Sequence, residues 1–107
     1  MPISLLQGTL DLLILRTLRT SALHGHGITK AIQRSSEEMV LVEHGSLYPA
    51  LHRIEKKGWV AADWKETESG RPMKFYSLTA AGREQLRVEQ SRWEDLSKAI
   101  GLVLKQA

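Results

Sequence analysis

Apolar positions recur along this chain at two spacings, and the change between them divides it into elements. Between residues 45 and 59, apolar side chains fall at helical spacing and predict a helix with one buried face, formed by Leu47, Leu51 and Ile54. We expect Ser46 to cap this helix, Pro49 to lie in its first turn and Gly58 to end it. The predicted helix is therefore short and sharply bounded.

The other face of this helix is aromatic and basic. It carries Tyr48, Pro49, His52, Arg53, Lys56 and Lys57. A helix that is apolar on one side and basic on the other suits the DNA major groove, which admits one helix between walls of phosphate. An ordinary surface helix with solvated lysines has the same pattern, so the segment alone does not decide between them.

Alternating strand-like residues follow directly and predict a β-hairpin. The strands are expected at residues 59–68 and 73–78, joined by a turn at residues 69–72. Arg71 lies at the tip and Lys74 just beyond it. A lone arginine in a turn is often merely exposed. A basic helix followed by a hairpin with a basic tip, however, is the order of a winged helix-turn-helix domain.

The segments before this unit complete the predicted domain. Residues 5–18 form a helix that is apolar nearly all round, which predicts burial of two faces. Residues 27–34 form the first half of the helix-turn-helix, and residues 39–42 form an extended link. The fold class is thus mainly α with a small antiparallel hairpin, and residues 1–78 form the DNA-binding domain.

A long C-terminal helix is predicted from the Thr79 cap to about residue 105. Its apolar residues form a seam resembling a coiled coil, made of Leu86, Trp93, Leu96, Ile100 and Val103. A small winged domain has too little core to cover this seam, so residues 79–107 are expected to dimerise while forming one compact unit with the rest. Leu12 and Leu15 of the first helix are expected to join the interface. Packing within a monomer is the alternative.

Charge and composition permit this interpretation without requiring it. The chain has 15 basic and 12 acidic residues, a net charge of +3, spread evenly along its length. Asp63, Glu66 and Glu68 oppose phosphate binding, so only the hairpin tip and second strand are expected to approach DNA. The amino terminus lacks the pattern of a secretory signal, and residues 5–18 are too short to cross a bilayer, so a soluble cytoplasmic protein without membrane contact is expected.

Candidate catalytic and metal sites are weak. The chain has no cysteine, and its four histidines lack the carboxylates that would favour a metal site over ordinary surface histidines. Gly25 and Gly27 are not a dinucleotide loop, and Ser46 with His52 is no triad because no acid orients the histidine. We therefore expect no enzyme, no metal and no cofactor.

Several blocks also carry a family resemblance, and their order and spacing together make it specific. They are Leu5 to Leu15, His24 to Ile28, Gly45 to Leu51, Gly70 and Arg71 with Lys74, and Phe75 to Thr79 followed by Gly82. The sequence resembles the PadR family of transcriptional regulators, in its short subclass with a single C-terminal helix. The resemblance implies a homodimeric repressor whose recognition helix starts at residues 46–49 and whose wing tip is Gly70-Arg71. His26 departs from the family pattern, which usually has tyrosine there.

Two further expectations concern partners. In a symmetric dimer the two recognition helices would lie about 34 Å apart and read an inverted-repeat operator in double-stranded DNA. Tyr48 and His52 would touch bases or sugars, and the other polar residues of the helix would contact phosphates. The resemblance also implies that some relatives bind aromatic or multidrug compounds between the dimer helices, where Trp93 would lie. Core or interface packing is the alternative role of Trp93. A winged helix that binds protein instead of DNA is the alternative function.

Overall fold

The computed structural model describes residues 7–106 and shows four helices and three strands in that range. In chain order they are α1 (Gln7–Thr17), β1 (Leu23–His24), α2 (Gly25–Ser35), α3 (His44–Lys56), β2 (Val60–Glu66), β3 (Pro72–Leu78) and α4 (Ala80–Leu104). The predicted fold class is confirmed. Residues 5 and 6 of the predicted first helix lie outside the described residues. No helix within residues 7–106 is both long and apolar enough to cross a membrane.

One hydrophobic core lies between α1, α2, α3 and the inner side of the sheet. It includes two residues that we expected at a dimer interface, Leu15 with none of its surface exposed and Leu86 with 4%. Both side chains are already surrounded by their own chain, because α4 packs its first turns against α1. The assignment of Leu15 and Leu86 to an interface is therefore wrong.

Helix α2 begins earlier than predicted, because a histidine caps it. Nδ1 of His24 accepts a hydrogen bond from the backbone N–H of Gly27, at 3.0 Å. The helix starts at Gly25 instead of Gly27. His24 and Leu23 also form the short strand β1, which pairs with β3 and was not predicted.

Helix α3 also begins earlier than predicted, and Ser46 does not cap it. The N-cap residue is Glu43, whose side chain makes no capping bond, while its carbonyl accepts hydrogen bonds from the N–H groups of Ser46 and Leu47, both at 3.0 Å. Ser46 is therefore in the first turn and Pro49 in the second. The helix ends at Lys56, and the positive φ of Gly58, 79°, lets the chain turn into β2.

The hairpin has the predicted order and a regular register. Strands β2 and β3 pair antiparallel from Val60 opposite Leu78 to Glu66 opposite Pro72, and β1 pairs with the outer edge of β3. Strand β2 ends at Glu66, two residues before the predicted end at residue 68. Gly70, at a φ of 79°, forms the turn that places Arg71 at the tip.

The start of α4 is bonded to the link between α3 and β2. Oγ1 of Thr79 donates to the carbonyl of Gly58 at 2.7 Å and accepts from the N–H of Gly82 at 3.0 Å, which confirms Thr79 as the cap. A Cβ on Gly82 would lie 1.9 Å from the carbonyl oxygen of Trp59, so only glycine permits this approach. The start of α4 is therefore anchored at Gly58 and Trp59, the same two residues that lead from α3 into the wing.

Candidate nucleic-acid interface

Helix α3 separates its residues sharply between core and solvent. Leu47, Ala50, Leu51 and Ile54 each expose at most 1% of their surface. On the opposite face Tyr48 is 41% exposed, and Ser46, Pro49, His52 and Lys56 are exposed as well. The buried face fixes the orientation of the helix, so this polar face is the one that α3 presents outward.

Tyr48 joins the start of α3 to the start of α2. A Cβ on Gly25 would lie 2.6 Å from the hydroxyl of Tyr48, so the tyrosine lies close over that glycine. Its ring meets the His44 ring edge-to-face, with ring centres 5.8 Å apart. Gly25 therefore permits a close approach of the two helices of the helix-turn-helix.

A groove of about 330 Å³ separates these helix starts from the wing. Its lining residues are His24, Gly25, His26, Tyr48, His52, Trp64, Met73, Lys74 and Tyr76. Trp64 of β2 lies opposite Lys74 of β3 and is 65% exposed. Trp64 was not among the predicted site residues, although a tryptophan on a short hairpin was a usable signal in the sequence.

The ammonium group of Lys74 already makes contacts within its own chain. Its Nζ lies 3.3 Å from Oε1 of Glu55 and 5.4 Å from the ring centre of Tyr76. Burial acts to lower the pKa of Lys74, but the hydrogen bond to Glu55 and the neighbouring Tyr76 outweigh it, so the pKa is raised and the lysine stays charged. Burial also raises the pKa of Tyr76. Glu55 neutralises part of the charge that Lys74 could offer to a phosphate.

The remaining basic residues lie at the two ends of this surface. Arg71 is exposed at the wing tip, and Lys56 is exposed in the last turn of α3. Nζ of Lys57 lies 4.6 Å from the ring centre of Trp59, beyond the end of the helix. Exposed carboxylates are present on the wing too, at Asp63, Glu66 and Glu68.

Arg53 does not lie on the outward face, contrary to prediction. Its Nη2 and Nε donate to the two carboxylate oxygens of Asp11 on α1. Only 25% of the Arg53 side chain and 9% of the Asp11 side chain are exposed. The guanidinium is held by a bidentate, mostly buried carboxylate, so Arg53 anchors α3 to α1 and is not placed to bind a phosphate.

The second half of α4 presents an apolar seam to solvent. Trp93, Leu96, Ile100 and Val103 are 48%, 53%, 46% and 69% exposed. Leu102 and Leu104, which we did not assign to an interface, are also exposed, at 55% and 78%. Trp93 borders a mostly apolar cavity of about 560 Å³ between α1 and α4, lined also by Thr9, Leu12, Leu13, Arg16, Val40, Gln90 and Glu94.

The histidines are not arranged as a metal site. Within the range that the structure describes, no group of three or more histidine or carboxylate side chains could hold a metal ion. The rings of His24, His26 and His44 instead stack or meet edge-to-face.

A three-helix unit that is followed by a two-stranded wing, with the polar face of its third helix exposed, defines a winged helix-turn-helix domain. A model of the transcriptional regulator PadR-like family matches residues 14–88, which is more than half of the chain. The chain therefore belongs to the PadR-like family of transcriptional regulators, as the sequence predicted, and this family membership marks it as a regulator that acts on DNA.

Known relatives agree in sequence and in structure. The transcriptional regulator Rv3488 of Mycobacterium tuberculosis is 30% identical over 87 residues, covering 81% of this chain and 78% of that protein. A transcriptional regulator from Clostridium thermocellum superposes with a TM-score of 0.84 at 26% identity, over 92% of this chain and 96% of that one. A PadR family transcriptional regulator from Eggerthella lenta gives 0.81 at 30% identity, over 94% and 86%. The likeness thus extends into α4.

The bond between Arg53 and Asp11 gives a testable prediction. Removing either partner leaves the charge of the other partly buried and unpaired. Arg53→Ala and Asp11→Ala should therefore each lower the free energy of unfolding by about 1–3 kcal/mol, a range that allows for the partial exposure of Arg53. The double variant should lose less free energy of unfolding than the sum of the two single variants, which urea unfolding measures.

The slope of log affinity for DNA against log salt should stay unchanged in Arg53→Ala. A slope whose magnitude falls by about 0.9 for each Arg53 removed would show instead that Arg53 binds a phosphate.

Proposed function

We propose that this chain is a homodimeric repressor that binds an inverted-repeat operator through α3 and the wing. One observation carries the proposal: the buried face of α3 forces the aromatic and basic face outward, beside a groove that ends at the wing. Tyr48 and His52 contact bases or sugars. Ser46 and Pro49 lie on the same face of α3 and would approach the sugar-phosphate backbone of the DNA. In this proposal residues 1–78 bind DNA, residues 79–107 dimerise, and the protein works in the cytoplasm.

The basic residues supply the affinity that does not depend on sequence. Lys56, Lys57 and Arg71 are placed at the edges of the outward face, where the phosphates would run if α3 entered the major groove. Lys74 adds a weaker contact because Glu55 already neutralises it in part. The carboxylates of Asp63, Glu66 and Glu68 make the first strand of the wing unsuitable for DNA, so only the tip and β3 approach the backbone.

The apolar seam of α4 supports a homodimer. Four apolar residues, each about half exposed or more, follow one another along a helix that extends beyond the core, within a molecule 60 Å long. Such a patch on a small protein marks an interaction surface. The spacing of the seam suits the same helix of a second copy, with Leu12 of α1 beside Trp93.

The cavity beside Trp93 supports an effector site at this interface. Its lining is mostly apolar, with Thr9, Arg16, Gln90 and Glu94 as polar residues, which suits a flat aromatic molecule. Binding there would change how α4 packs against its partner, and so the separation of the two α3 helices. The ligand would then favour a dimer that no longer matches its operator.

The proposal is tested first by binding to DNA. Selection from a pool of random duplexes should enrich an inverted repeat, and fluorescence anisotropy should show saturable binding that weakens steeply with salt. Arg71→Ala and Lys56→Ala should each weaken binding and reduce the salt slope by about 0.9 for each phosphate that a subunit no longer neutralises. Lys105→Ala, which removes the same charge beyond the far end of α4, should leave both quantities unchanged. When the selected operator overlaps a promoter, added protein should lower transcription from it in vitro.

Failure of this experiment has a defined meaning. If no sequence is enriched, and Arg71→Ala binds the same DNA as well as the unchanged protein, α3 does not read DNA. The winged helix would then be a protein-interaction module, the alternative function that its exposed Trp64 and wing carboxylates would serve.

A second prediction concerns the dimer. Ile100→Glu places a charge in the middle of the seam and should shift the protein from dimer to monomer in light scattering, with a drop in operator affinity of at least about tenfold. Ser91→Glu adds the same charge to an exposed position of α4 away from the seam and should remain dimeric. A monomeric parent protein, or a dimeric Ile100→Glu variant, would contradict the seam as the interface.

A third prediction concerns the effector. In a variant with Trp59→Phe and Trp64→Phe, Trp93 alone reports by fluorescence, and binding of an aromatic compound should change its emission in a saturable way. The same compound should lower operator affinity, since binding to two sites is thermodynamically coupled. Leu13→Phe, which fills part of the cavity without adding a tryptophan, should weaken both effects. Unchanged Trp93 emission across a broad panel of aromatic compounds would count against the site.

A further inference from the structure

All four histidines of the chain lie on one surface, around the starts of α2 and α3. The His24 and His26 rings are stacked with centres 6.3 Å apart, and the His26 and His44 rings meet edge-to-face at 6.4 Å. His52, two turns along α3 from His44, lines the same groove as His24 and His26. This is the surface that the proposed function places against DNA.

The four histidines are not equivalent. His24 uses the lone pair of Nδ1 to cap α2, and its ring packs edge-on against Phe75 at 5.3 Å. Protonation of that nitrogen would break the cap, so His24 has a structural role. The side chains of His26, His44 and His52 are exposed, and none of these three residues is the N-cap of a helix.

The groups that face these three histidines leave a positive charge on them uncompensated. Within residues 7–106, no histidine forms an ion pair with a carboxylate. On α3, Glu43 precedes His44, while Glu55, beyond His52, is taken by Lys74 of β3. Lys30 on α2 and Lys56 on α3 add positive charge. Burial raises the pKa of Tyr76, so this side chain adds no negative charge. The groove itself is lined by three histidines and a lysine and by no carboxylate.

We propose that His26, His44 and His52 form a phosphate-binding surface that takes up protons when DNA binds, so that DNA affinity rises as pH falls. The inference rests on the proposed function, because it requires that this surface meets DNA. It adds His26 and His44 to the residues that contact the backbone and gives the regulator a response to pH.

The direction in which DNA affinity changes with pH follows from the charge of the histidines. Imidazole is the side chain whose ordinary charge change falls between about pH 5 and pH 8. In the free protein, two protonated rings 6.4 Å apart repel each other. A DNA phosphate beside them removes that repulsion and favours the protonated forms, so the complex binds more protons than the free protein. By linkage, affinity then increases as pH decreases, and each protonated histidine adds to the salt dependence as a further cation would.

The experiment is a set of anisotropy titrations on the selected duplex and on a scrambled duplex, at constant ionic strength, between about pH 5.5 and pH 8. Affinity of the unchanged protein should increase on the order of tenfold from about pH 7.5 to about pH 6. In a variant with His26→Gln and His44→Gln, which keeps polar side chains but no titrating group, the increase should fall to about twofold, the share left to His52. Lys56→Gln is the matched control. It should weaken binding at every pH and keep the tenfold response.

A second readout protects the test against a variant that folds poorly. Calorimetry of DNA binding near pH 6.5, in buffers of different ionisation heat, counts the protons taken up by the unchanged protein. We expect about one or more for each subunit, and fewer in His26→Gln alone and in His44→Gln alone. Circular dichroism of each variant at both ends of the pH range establishes that it is folded.

The possible failures are distinguishable. A parent protein that binds the selected duplex specifically but equally at all pH values overturns the histidine proposal and leaves the proposed function standing. An unchanged pH response in the folded histidine variants also overturns it, because the protons then bind elsewhere. Absence of specific DNA binding at any pH overturns the proposed function and this inference together.

Discussion

The complete burial of one face of α3 is the constraint on which the rest of the structure depends. Leu47, Leu51 and Ile54 leave the helix no freedom to rotate, because turning it would expose them to water. Truncating one such side chain to alanine typically costs about 2–5 kcal/mol, a large part of the stability of a domain this size. The outward face is therefore fixed by the core, and the residues on it are free to serve recognition.

Three further contacts fix what surrounds α3. The pair formed by Arg53 and Asp11 holds its inner edge to α1, and Tyr48 lies close over Gly25 at the start of α2. Thr79 and Gly82 then hold α4 to the link that follows α3. Helix α3, the wing and the exposed seam of α4 are thus joined through a few short links. A change in the packing of α4 against a second copy would consequently alter where each α3 lies.

The four helices and the hairpin were predictable from sequence, because helical spacing, alternation and turn residues act locally. The family was identified from sequence blocks that resemble it, through their order and spacing. Partners across the fold were not: nothing in the sequence indicates that Arg53 meets Asp11, 42 residues away, or that Leu15 and Leu86 are used within the core. Ser46 and Pro49 are residue types that are common at a helix start, which is why the sequence placed the start there. Helix α3 instead begins at His44, whose ring is packed against Tyr48 and His26. The cap by His24 was not predicted because histidine seldom plays that role.

We propose that two α3 helices, held by a dimer, read one face of a duplex. The most direct measurement is hydroxyl-radical cleavage of the selected duplex with the protein bound. We expect two protected segments about 10 base pairs apart, related by the symmetry of the repeat and lying on the same side of the helix. One protected segment, or protection without symmetry, would contradict it.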